Sequence, residues 1–173
     1  MKFRGTGKVT TADFKKVKYV GKTKGGKPIA IEFEKAINMG NIDWAFAEKN
    51  DVVSEVTFTA VYKNTDTMAE DDTTEPWIVD ADEQTKGAAE IILGVGIFEI
   101  DDVKVGLTRG GGKFSVQREY REINADGDRG PVEGRIEMTG SRATLTMNVL
   151  QILTNMKALY GSIETVEAQT LQK

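Results

Sequence analysis

The sequence predicts a mainly β fold with one short helix, on three observations. Apolar residues recur with a period of two along most of the chain, only one stretch carries a helical period, and the composition is that of a globular domain. The 173 residues are 39% hydrophobic and 29% charged, which is enough apolar content to bury a core. At roughly 150 residues per domain, this length favours one compact domain.

The elements follow in chain order. Ile29, Ile31 and Phe33 fall on one side of an extended segment and Ala30, Glu32 and Glu34 on the other, the pattern of a half-buried strand. Ile42, Trp44 and Phe46 alternate likewise, Lys49-Asn50-Asp51 supplies turn residues, and Val56, Phe58, Ala60 and Tyr62 alternate again. A hairpin is therefore expected over residues 42–62. Three further strands are expected: one through Phe114, Val116 and Tyr120, one through Ile136 and Met138, and one through Ala143, Leu145, Met147 and Val149. Ile152, Met156, Leu159 and Tyr160 have helical spacing, with Thr154 placed to cap the start and Gly161 to end the segment in a left-handed conformation. The polar segments Asp66–Glu75 and Asp80–Gly87 read as exposed loops.

Val20-Gly21-Lys22-Thr23-Lys24-Gly25-Gly26 is echoed by Val105-Gly106-Leu107-Thr108-Arg109-Gly110-Gly111, 85 residues later. Two readings stand. Glycine turns between strands converge readily because glycine supplies positive φ at little cost, or the chain duplicates a hairpin unit.

Two zeros narrow the function classes: the chain has no histidine and no cysteine. That removes Ser/His/Asp and Cys/His nucleophile systems, thiolate–imidazole zinc sites, CxxC redox pairs and disulfides. Carboxylate chemistry, lysine or tyrosine acid/base work and oxygen-ligated calcium or magnesium stay possible. The expectation is a protein that is not an enzyme, with no catalytic residues, no metal and no cofactor. A net charge of −4 argues against gripping nucleic acid, whose affinity comes from clustered Lys and Arg facing phosphates. No apolar run approaches the roughly 18 residues of a membrane span, and Met1-Lys2-Phe3-Arg4-Gly5 has no apolar stretch behind its charges. A soluble chain without a secretory signal is expected.

Several local patterns imitate sites. Leu93-Gly94-Val95-Gly96 lacks the third glycine of a dinucleotide loop and leads into an alternating strand rather than a helix. Gly110-Gly111-Gly112-Lys113 lacks the context of a phosphate loop and reads as a hairpin tip. Asn124, Asp126 and Asp128 resemble the first ligands of a calcium loop, yet Arg129 and Arg135 stand where glycine and glutamate are needed. A turn is the plainer reading. Trp44 belongs to an apolar face and is expected in the core. Trp77, after Pro76 at a loop exit, could stack on a sugar or anchor the loop. Arg118, Arg121, Arg129, Arg135 and Arg142 are interleaved with Glu119, Glu122, Asp126, Asp128, Glu133 and Glu137, which suits ionic contacts between subunits or a solvated face better than a phosphate groove.

Longer strings carry a resemblance. Val105 to Gly111, Arg118-Glu119-Tyr120-Arg121-Glu122-Ile123, Asp126 to Arg135 and Ala143 to Leu150 look like the opening half of a tail tube protein of tailed bacteriophages. Tyr19 to Ile29, Ala47 to Phe58 and Glu75-Pro76-Trp77 are similar to the closing half of the same family. The halves stand in reverse order, as in a circular permutation: residues 1–79 resemble the family's C-terminal half, 80–87 form a connector, and 88–173 resemble its N-terminal half. Joining Lys173 to Met1 would restore the family order. Compact domains tolerate such a change because their termini often lie close together.

The resemblance implies a β-sandwich or partly closed barrel of two packed sheets with a flanking helix. It also implies a structural virion protein that assembles into hexameric rings stacked as a tube. Neighbouring sheets would join into a continuous barrel, DNA would pass through the lumen without specific binding, and other phage tail proteins would be partners. Assembly would occur in the host cytoplasm and the product would reside in the phage tail, with no membrane involved. The contact candidates are Gly25 and Gly26, Gly110, Gly111 and Gly112, and the acidic Glu70-Asp71-Asp72. The competing reading is a monomeric β-sandwich module that binds carbohydrate through Trp77.

Overall fold

The computed structural model describes residues 2–46, 51–62, 74–81, 87, 91–123, 126 and 131–166. Ten strands are assigned among them: β1 Lys2–Gly5, β2 Lys15–Thr23, β3 Pro28–Asn38, β4 Ser54–Ala60, β5 Ile78–Ala81, β6 Ile92–Ile100, β7 Val103–Lys104, β8 Thr108–Glu122, β9 Ile136–Val149 and β10 Ile163–Val166. One short helix, α1, spans Met156–Leu159. The chain is thus mainly β, as its period-two pattern requires.

The large sheet runs β7-β6-β2-β3-β4-β9-β8, with β5 against β3, and all its ladders are antiparallel. Strands from residues 1–79 and from residues 88–173 share it: β2 pairs with β6 and β4 with β9. Its inner faces meet in one core. Phe33 of β3 approaches Phe114 of β8, ring centroids 6.1 Å apart, and Val17, Val56, Phe58, Phe98, Leu145 and Met147 fill the space between. The small β1–β10 sheet packs onto this core through Phe3 and Ile163. The sheets do not close into a barrel: among the described residues β8 is not paired with β6 or β7.

The helix is shorter than its sequence pattern. Asn155, not Thr154, stands at its start and caps it without a side-chain bond. That amide is used elsewhere, donating to Val105 O at 2.7 Å and Gln151 O at 2.8 Å. The left-handed residue at its end is Ser162, φ 58°, rather than Gly161. Met156 and Leu159 face the core, and the Tyr160 hydroxyl shares a short hydrogen bond with the buried Ser54 hydroxyl of β4.

Four further expectations change. Residues 41–46 form no strand; β4 takes β9 along Ser54–Thr59 and β3 at Phe58–Ala60 as its partners instead. Ile42 and Phe46 are exposed, while Trp44 packs half-buried on the core. The separate strands expected at Ile136–Met138 and Ala143–Val149 are one strand, β9, held throughout by β8. Asp80 and Ala81 belong to β5, paired with Ala30 and Ile29, rather than to a loop. The two glycine echoes differ in structure. Gly25-Gly26 turns the β2–β3 hairpin, with Gly26 at φ 84° and Thr23 N donating to Lys27 O at 2.9 Å, whereas the second copy enters and kinks β8.

Candidate assembly interface

A sheet that stays open leaves two edges, and their side chains differ. On one side stands β6. Its inner pleat, Gly96, Phe98 and Ile100, turns toward the core, while Val95 and Ile97 point outward. From Ile91 to Phe98 the run is Ile-Ile-Leu-Gly-Val-Gly-Ile-Phe, with no charge and no proline. Ile92 is 58% exposed, Val95 82% and Ile97 43%. β7 covers only the end of this strand, through Glu99 and Ile100, and Val105 N donates to Phe98 O at 3.0 Å. Among the described residues no strand pairs with the outer side of Ile92–Ile97. Soluble proteins commonly blunt such an edge with lysine, proline or a bulge that turns it away, because unpaired N–H and C=O groups template pairing with another chain.

On the other side stands β8, which among the described residues pairs with β9 alone. Its edge carries Lys113, Arg118, Glu119, Arg121 and Glu122. Two of these charges are answered within the chain: Arg121 meets Glu137 at 2.8 Å, and Arg118 meets Glu75 at 3.2 Å. The bond to Glu75 holds the Arg118 guanidinium above its ordinary pKa.

Between β6 and β8 the open end of the sandwich forms a cleft of about 340 Å³. Tyr19, Phe98 and Phe114 are among its aromatic walls, and Gly94 and Gly111, where a Cβ would meet nothing, leave space at its rim.

Gly110-Gly111-Gly112 is not a hairpin tip. Thr108 faces Val149 and Gly112 faces Met147, so β8 carries extra residues there. Gly110 and Gly111, at φ 84° and 79°, absorb them as a bulge. A Cβ on Gly112 would stand 2.6 Å from Thr146 O and would overlap the Phe98 ring. Gly25 and Gly26 are exposed at a genuine tip. Glu70, Asp71 and Asp72 lie outside the described residues, as do Asn124, Asp128 and Arg129. Trp77 is half-buried, its ring 5.6 Å from Phe114 and edge-on to it, and its N–H is taken by Glu75. Those contacts suit the anchoring role.

In the sequence, Gly94 and Gly96 interrupt the β6 segment and mask its character as a strand edge. The available signal was an uncharged run of eight residues beside turn residues.

Comparison with protein-family models, with curated proteins and with solved structures finds no match for this chain.

Proposed function

We propose that the chain is a structural subunit that self-associates through its sheet edges, building rings that stack as the tail tube of a bacteriophage. The observation that carries the reading is the uncharged, doubly exposed edge of β6. Edge pairing would satisfy its backbone groups and set Val95 and Ile97 beside the side chains of the added strand. The second open edge, β8, differs from β6 in sequence and charge, so pairing one with the other is a head-to-tail contact. Head-to-tail contacts between identical copies generate rings when the rotation closes and filaments when it does not. The tail tube reading draws further on the sequence resemblance and on the pairing of the first strand with the last, Lys2 opposite Val166. In it the product is a virion component assembled in the host cytoplasm, with other tail proteins as partners and DNA as passing cargo.

Light scattering coupled to size-exclusion chromatography tests this. The full chain is expected to elute as an oligomer whose share grows with concentration, and Val95→Lys, which charges the edge without touching the core, as a folded monomer. A parent chain that stays monomeric at all concentrations contradicts the reading.

A further inference from the structure

The β6 edge has an internal weakness. Gly94 and Gly96 fall within its open stretch, and glycine in a strand is entropically loose and has no side chain to pack. An edge that must be ordered on association loses affinity by that cost, so a binding edge gains from being set beforehand.

Tyr19 supplies the missing packing. It stands opposite Phe98 in the β2–β6 ladder, and their rings are 5.1 Å apart. Gly21 and Gly96 are the next pair along the same face. The Tyr19 ring lies over both: a Cβ on Gly21 would come within 2.9 Å of it, and a Cβ on Gly96 would overlap it. The hydroxyl reaches Leu93 O at 3.5 Å, a long contact further along the edge. One aromatic ring thus covers two glycines across neighbouring strands, a device that stabilises glycine-bearing edges.

We propose that Tyr19 is a positioning residue for self-association: its ring, laid over Gly21 and Gly96, presets the extended edge of β6 that a second copy pairs with. The inference rests on the self-assembling reading above, and it assigns the work to the ring rather than to the hydroxyl.

The test uses the full chain with Tyr19→Phe, Tyr19→Ala and the double variant Tyr19→Ala with Gly96→Val. Two quantities are read: amide exchange of residues 92–97 in dilute solution, and the concentration at which light scattering detects assembly. Tyr19→Phe is expected to stay within about twofold of the parent in both, since the ring is kept. Tyr19→Ala is expected to exchange about tenfold faster in β6, with β9 unchanged, and to need about tenfold more protein to assemble. Adding Gly96→Val fills the vacated space with a β-branched side chain and is expected to recover most of both losses. Should Tyr19→Ala speed exchange in β9 as well, the fold itself has loosened, and Tyr19→Leu carries the same comparison.

Unchanged β6 exchange without the ring, or a double variant as impaired as the single one, overturns the role of Tyr19. A parent chain that never assembles overturns the self-assembling reading and this role with it, and is told apart by the parent alone.

Discussion

Asp13 fastens the segment after β1 to the segment before β10. Its carboxylate accepts from Ser162 N at 2.6 Å, and from Thr10 N at 2.6 Å and Thr10 Oγ1 at 3.0 Å. The bond from Ser162, then that from Thr10, holds its pKa below the ordinary value of 3.8. Because the folded-state pKa is the lower one, the clasp contributes fully above about pH 4 and fades as pH falls through the folded value. Asp13→Ala is therefore expected to lower Tm at pH 7, with the gap to the parent closing towards pH 2 in a thermal melt series. Asp102 offers the opposite case. Asp101 and Asp102 turn β6 into β7 with φ of 50° and 61°, a conformation that favours glycine. Asp102 does pair with Lys16 at 3.3 Å, but an exposed pair contributes little. Asp102→Gly is expected to raise stability by up to about 1 kcal/mol, measured by urea unfolding.

At the scale of elements, the β8 bulge depends on a position where no side chain fits. Gly112→Ala would press a methyl group onto Phe98 and the Thr146 carbonyl, so a loss of about 1–3 kcal/mol is expected in the same unfolding measurement. The strands legible in the sequence alternate apolar and polar residues: β4 buries every second residue, β9 does so from Ala143 to Val149, β3 buries Ile29 and Phe33, and β8 carries half-buried Phe114 and Val116 on a mostly exposed strand. The strands that were not legible lack that contrast. β2 alternates Val17 and Tyr19 with lysines but continues through Gly21 and Thr23, while β5 and β7 are short and exposed throughout. Residues 42–46 show the converse: they alternate without forming a strand, and β4, their expected partner, pairs with β3 and β9 instead. The open edge of β6 was the least legible part, since an edge is defined by which partners a strand lacks, and pairing is a property of the whole sheet.

At the scale of the molecule, the first and last strands are built together. β1 and β10 pair from Lys2–Val166 to Gly5–Ile163, and Arg4 is bonded to Glu164 across them. Lys16, Lys18, Glu32 and Asp102 meanwhile knit the outer face of β2, β3 and the β6–β7 turn. A chain joined from Lys173 to Met1 and reopened between Ala81 and Ile91 is expected to keep the β-rich circular dichroism spectrum and cooperative melting of the parent, because the cut lies outside the assigned strands. A non-cooperative melt would show that the present order of the halves is needed for the fold.

The central claim is that the exposed margin of β6 is completed by another copy of the same chain. Negative-stain electron microscopy of the concentrated 173-residue chain tests it most directly. Closed rings with a central opening, alone or stacked into tubes, are the predicted result, and a field of uniform single subunits at every concentration would contradict it.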